Sequence, residues 1–148
     1  MRRHAEAVAV DELYALRWEV LRKDTPCDEI DLPGDRDPTT VHLAVRGDGG
    51  EIVAAATWLE RESPDRPGRR ALQLRAMAVA ATHRRQGLGA RLIEGGVRLA
   101  AERGVDIVWA NARDSALDFY TSQGFIAVGE GFITADTRLP HHRIVRDL

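Results

Sequence analysis

Gln86-Gly87-Leu88-Gly89-Ala90 follows an apolar run, Leu72 to Val79, and opens a long helical pattern; Arg84 and Arg85 stand immediately before it. A strand leading through glycines into a helix N-terminus makes a phosphate site. The glycines let backbone N–H groups approach an anion, and the helix dipole favours negative charge there. Arg84 and Arg85 add guanidinium partners for further phosphate oxygens. Two common phosphate cradles do not fit. The P-loop requires a Gly-Lys-Ser/Thr ending, which is absent. The dinucleotide fingerprint G-x-G-x-x-G/A fails because Gly87 and Gly89 are followed by Ala90-Arg91-Leu92.

A second pattern lies downstream. Asp106 to Ala110 reads as a short apolar strand, with Asp114 or Ser115 as N-cap of a helix that carries Ala116, Phe119 and Tyr120. Gly124-Phe125 ends that helix, the glycine supplying a left-handed cap. Arg84-Arg85-Gln86-Gly87-Leu88-Gly89 resembles, in register, the coenzyme A loop of the GCN5-related N-acetyltransferases, Arg/Gln-x-x-Gly-x-Gly/Ala. Ala116-x-x-Phe119-Tyr120-x-x-x-Gly124-Phe125 is similar to the second coenzyme-binding motif of that family, in the family's order.

The resemblance implies an α/β fold: a mixed, mostly antiparallel central sheet flanked by helices, with a V-shaped splay between the fourth and fifth strands. It implies direct transfer of an acetyl group from acetyl-CoA to an amine of a small molecule or peptide, with no enzyme-bound acyl intermediate. The coenzyme would lie along Met77, Ala78 and Val79, over Arg84, Arg85, Gln86, Gly87, Leu88, Gly89 and Ala90, and against Asn111, Arg113, Phe119 and Tyr120. A backbone N–H near Met77 or Val79 would polarise the thioester carbonyl. Tyr120 would give a proton or hydrogen bond to the leaving sulfur. One departure stands out: the family often places Asn seven residues before this tyrosine, whereas here that position is Arg113 and the asparagine is Asn111. Trp109-Ala110-Asn111-Ala112-Arg113 and the later Pro140-His141 resemble a less studied branch of the family.

The rest of the chain supplies the elements to carry these motifs. Ala5–Val10 reads as a first strand and Asp11–Lys23 as an amphipathic helix capped by Asp11, with Leu13, Leu16, Val20 and Leu21 near one face. Asp24–Thr40 is a loop rich in Pro and Asp. Val41–Arg46 and Ile52–Leu59 are strands joined by Gly47-Asp48-Gly49-Gly50, a hairpin signal. Arg61–Arg70 turns back into the strand that ends at Val79, and simple alternation puts Arg75 on the same side as Met77. Ile126–Thr134 and His141–Val145 continue the sheet. In the long helix Leu88, Leu92, Ile93, Leu99 and Ala100 form the buried stripe. Gly95-Gly96 costs about 1 kcal/mol per glycine relative to alanine, which close packing on the sheet would explain.

Bulk properties set outer limits. At 148 residues the chain is expected to form a single domain, 1–148, large enough to bury its core without staples. A net charge of −2 gives no nucleic-acid footprint. With Cys27 as its one cysteine the chain can form no internal disulfide. No apolar run reaches membrane-spanning length, and the charged start Met1-Arg2-Arg3-His4 lacks an apolar signal core, so a cytoplasmic location with no membrane partner is expected. His4, His42, His83, His141 and His142 show no H-x-x-x-H spacing, so no metal is expected.

Candidates for handling the acceptor are Arg75 as a ligand for an acidic group, Glu60 as a base or substrate contact, with Glu62 near it, and His141, with His142 beside it, as a proton shuttle or substrate contact. The acids Asp24, Asp28, Glu29, Asp31, Asp35 and Asp37 favour a cationic amine, while Arg17, Arg22 and Arg75 favour a carboxylate-bearing one. Two other readings remain open at this level: a non-catalytic acyl-CoA sensor, and a nucleotide-binding regulatory module. A homodimer through an exposed sheet edge is also compatible with the pattern.

Overall fold

The computed structural model describes residues 4–148; Met1-Arg2-Arg3 of the charged start lie outside the described residues. Seven strands form one sheet in the order β1-β2-β3-β4-β5-β7-β6. They are β1 (Glu6–Val8), β2 (Val41–Arg46), β3 (Ile52–Glu60), β4 (Leu72–Val79), β5 (Ile107–Arg113), β6 (Ile126–Ile133) and β7 (Pro140–Asp147). Among the described residues only β4 and β5 run parallel, and they pair over just three residues, Leu72 to Leu74 against Val108 to Ala110. Beyond Leu74 the two strands diverge, which is the expected splay.

Strand alternation divides the sheet into two faces. Leu72 and Leu74 of β4, Val108, Ala110 and Ala112 of β5, and Trp58 of β3 belong to the main core. Helix α2 (Leu88–Glu102) covers that core with Leu88, Leu92, Ile93 and Ala100, as its apolar stripe predicts. A Cβ at Gly96 would overlap the Trp58 indole, so the helix seats on the sheet only with glycine there. Helix α3 (Leu117–Ser122) lies on the same face, contributing Tyr120. The opposite face packs Ala44, Ala55 and Ala78 beneath Leu13 and Leu16.

That second layer departs from the expected continuous helix over Asp11–Lys23. It begins as a 3-10 turn (Val10–Leu13), becomes α1 (Tyr14–Arg17) and ends in a π turn (Trp18–Arg22), and Asp11 makes no capping bond. The Lys23 N–H reaches back five residues to the Trp18 carbonyl, 2.9 Å away. The helix end leaves the Leu21 carbonyl without a helical donor, and Arg113 donates to it instead, at 2.7 Å.

A second departure falls in β4. Ala55 opposes Ala78 and Thr57 opposes Arg75, so two residues of β4 face one of β3, and Ala76 adopts φ 55°. This β-bulge breaks the alternation. Met77 packs against the main core, whereas Arg75 lies on the α1 face opposite Thr57. The expectation that Arg75 and Met77 share a side is therefore corrected.

Candidate active site

The splay opens a cleft of about 870 Å³ between β4, β5, α3 and the segment following α1. Its two sides are built from different groups.

On the α2 face, the connector from β4 to α2 turns through left-handed backbone at Arg85 (φ 64°) and Gly87 (φ 74°). A non-glycine residue is strained in that region, so Gly87 is the residue type the turn requires. The first N–H of the helix to find a backbone partner belongs to Arg91, 3.2 Å from the Gly87 carbonyl. The N–H groups of Leu88, Gly89 and Ala90 precede it and stand among the orphan donors of a helix start. Arg84 of the connector lines the cleft, whereas Arg85 and Gln86 to Ala90 lie outside its wall. A Cβ on Gly89 would lie 2.8 Å from Phe119 Cζ, so the two coenzyme motifs touch where glycine leaves room for the ring.

Phe119 packs edge-on against Tyr120 with centroids 5.1 Å apart, and Tyr120 against Phe125 at 5.6 Å. This packing leaves Tyr120 only 6% exposed, yet Tyr120 lines the cleft. Burial pushes its phenol well above the ordinary tyrosine value, because the phenolate loses water without gaining a positive partner. The group is therefore a protonated phenol at neutral pH.

On the α1 face, Gln73 and Arg75 of β4 and Asn111 and Arg113 of β5 line the cleft, together with His141 of β7. Register places Arg113 directly opposite His141. His141 is 8% exposed and stacks on Phe132, ring centroids 5.8 Å apart. Its Nδ1 lies 2.8 Å from the Leu139 carbonyl. A carbonyl only accepts, so Nδ1 carries the hydrogen, and in the neutral ring Nε2 holds the lone pair.

Behind these groups sits a buried ion-pair network that local pattern did not reveal. Arg17 donates from Nη1 to Asp35 Oδ2 at 2.6 Å and from Nη2 to Thr57 Oγ1 at 2.8 Å. His42 bridges Thr57 and the Asp35 carbonyl at 2.8 Å each. Arg75 donates to the same carboxylate at 3.0 Å and to the Pro33 carbonyl at 2.6 Å. Burial opposes ionisation of Asp35, but hydrogen bonds from Arg17 and the Leu32 N–H, with the Arg17 charge, hold its carboxyl below the ordinary carboxylate value. Arg17, read from sequence as a pointer to the acceptor, is thus spent on holding the fold.

Several expected site residues lie elsewhere. Glu60 does not line the cleft: it ends β3 beside the start of β4 and is engaged by Arg70 at 3.0 Å and Arg103 at 3.5 Å. The Glu62 carboxylate accepts from the Gly68 N–H. The Ala78 side chain is buried beneath α1, so Ala78 contributes to the α2 face only through its backbone. Asp114 does not cap α3; its carboxylate meets His142 Nδ1 at 2.7 Å. Among the described residues no cluster of His, Cys, Asp or Glu is arranged to hold a metal ion.

The model of the GNAT acetyltransferase family matches residues 7–125. The chain belongs to that family. The chain is 29% identical over 127 residues to the uncharacterized N-acetyltransferase YitI of Bacillus subtilis (strain 168), covering 86% of this chain and 85% of that one. Its fold superposes on Escherichia coli ElaA with a TM-score of 0.77 at 20% identity, covering 99% and 100% of the two chains. It also superposes on an aminoglycoside 6'-N-acetyltransferase complexed with coenzyme A, with a TM-score of 0.75 at 14% identity over 97% and 96%. The protein is an N-acetyltransferase, and the expected GNAT architecture is the one observed.

Proposed function

We propose that this acetyltransferase, as one 148-residue domain, moves an acetyl group from acetyl-CoA directly to the amine of a small molecule or peptide. The observation that carries the reading is that the buried phenol of Tyr120 lines one cleft with Arg84 and Phe119, while the orphan N–H groups at the start of α2 adjoin that cleft through Phe119, which packs on Gly89. The edge of β4 beyond Leu74 has no strand partner on the β5 side, and its backbone from Met77 to Val79 is offered to the pantetheine amides. The N–H groups of Gln86 to Ala90, with Arg84 and Arg85, are offered to the phosphates.

The acceptor amine reacts unprotonated: its nitrogen bonds to the thioester carbonyl carbon while His141 Nε2, freed by the bond from Nδ1 to Leu139, takes one proton from that nitrogen directly or through one water, and the carbon–sulfur bond breaks. A backbone N–H at Met77 or Val79 stabilises the carbonyl oxygen as charge develops. The Tyr120 phenol donates a hydrogen bond to the departing thiolate, and the proton held by His141 passes through solvent to the sulfur, which closes the balance. Glu60 has no part in this scheme, because its carboxylate is held by Arg70 and Arg103 outside the cleft. Proximity contributes much of the rate. A free Cys27 fits action in a reducing compartment, and we assign the protein to the cytoplasm.

The test is Tyr120→Phe assayed by thiol release from acetyl-CoA over an amine panel. Turnover should fall about 100-fold with acetyl-CoA affinity nearly unchanged. Equal turnover by the variant removes Tyr120 from the mechanism. Acetyl-CoA binding by the wild type with no turnover of any amine would favour the sensor reading.

A further inference from the structure

We propose that the acceptor is an α-amino acid, or a compound with a free α-amino carboxylate group, whose carboxylate is received by Arg113 and Arg22 while its amine faces His141. The inference rests on the acyl-transfer reading above and specifies its substrate class.

Arg113 is half-buried in the cleft and uses one of its N–H groups, on the Leu21 carbonyl. Arg22 lines the same cleft, its Nε donating to the Glu29 carbonyl at 2.8 Å. Among the described residues, neither guanidinium is within ion-pair distance of a carboxylate. Burial and the neighbouring charge of Arg22 both disfavour the charged form of Arg113. A guanidinium withdrawn from water and facing a second one is costly unless an anion joins them, and a planar carboxylate matches their fork of donors.

The next cation along the cleft is no substitute for that anion. Arg75 shares Asp35 with Arg17, so a single buried carboxylate serves two guanidiniums, and Arg75 Nε is buried with no partner. The network behind the cleft therefore adds positive charge to this side. Two acids also line the cleft, Glu29 and Asp136. Asp136 accepts from the Thr137 N–H at 2.7 Å and acts on both Arg113 and Arg22, beyond ion-pair distance of either, so it offsets part of their charge without bridging their donors.

Geometry then sets how far the amine lies from the carboxylate. Arg113 and His141 are directly opposed on antiparallel β5 and β7, which brings their Cβ atoms to about 5 Å. The two side chains leave neighbouring strands on the same face and both line the cleft, so a compact ligand is the kind that engages both. An α-amino carboxylate, with both groups on one carbon, meets that condition. A polyamine would instead place a second cation against Arg113 and Arg22.

The experiment compares common L-amino acids, their carboxamides and spermidine as acceptors, by thiol release from acetyl-CoA and by calorimetric binding to coenzyme A-saturated protein. The wild type should use or bind at least one amino acid with a specificity constant or affinity about 10- to 100-fold above that of its carboxamide. In Arg113→Gln that ratio should collapse towards one, with Arg113→Lys intermediate. Carboxamides or spermidine matching the acids, a ratio unmoved by Arg113→Gln, or an acetyl-CoA-binding protein that neither binds nor acetylates any amino acid would overturn the proposal and leave the acyl-transfer reading standing. Failure to bind acetyl-CoA would overturn both.

Discussion

The two sides of the cleft are made of different materials. The α2 and α3 side offers backbone N–H groups, a glycine turn and one uncharged phenol, all fixed by packing against a large apolar core. The α1 side offers charged side chains, and their positions depend on a buried network that links residues far apart in the chain. A backbone site recognises what every acetyl-CoA molecule shares and tolerates side-chain change. A site of guanidiniums and an imidazole recognises one class of acceptor and changes whenever a single residue does. In the proposed reading the first side holds the donor and the second chooses the acceptor.

That contrast is broken most severely through Asp35. Asp35→Asn leaves Arg17 buried without its anion, and stability should drop by about 3–5 kcal/mol in denaturant unfolding. The pH dependence has a defined sign. The folded-state value of Asp35 is depressed, so its contribution is fully present above the ordinary carboxylate value and disappears as pH falls through the depressed one. The wild type should lose stability in acid more steeply than Asp35→Asn; parallel acid profiles would show that the carboxylate is not what ties the α1 side together.

Smaller effects sharpen the donor side. Gly89→Val should drive Phe119 away from the helix start and weaken acetyl-CoA binding about tenfold, or about 1.4 kcal/mol, with unfolding affected less. Arg84→Ala removes one exposed cation from the phosphate region and should weaken binding about threefold, an effect that salt erases. Glu60→Gln lies outside the cleft in a partly exposed ion pair and should leave turnover unaltered and stability within about 1 kcal/mol. A large loss of turnover in that variant would mean that the cleft extends to the far end of β3.

The donor side was legible in the sequence because its signals are local. An apolar strand, two glycines and a helix pattern follow one another within Leu72–Glu102, and Phe119-Tyr120 sits in a second short string. The acceptor side was not, for physical reasons that differ from residue to residue. Ala76 carries no mark of a bulge, since alanine has no preference for the left-handed backbone it adopts there. Arg17 finds Asp35 and Thr57 across 18 and 40 positions, separations that no periodicity reports. Arg113 stood out as a departure from the coenzyme motif, but its partner His141 is set by sheet order, with β7 inserted between β5 and β6. The helix over Asp11–Lys23 had the right apolar stripe, and its π-turn ending goes with a contact from far along the chain, Arg113 donating to the Leu21 carbonyl.

The measurement that bears most directly on the central claim is a calorimetric titration of the wild-type protein with acetyl-CoA, alongside ATP and NAD. Saturable binding of acetyl-CoA at one site per chain, tighter than either nucleotide and weakened in Gly89→Val, is the predicted result. Absence of acetyl-CoA binding, or equal binding of ATP or NAD, would contradict the assignment of the α2 start as the coenzyme site and the division of the cleft built upon it.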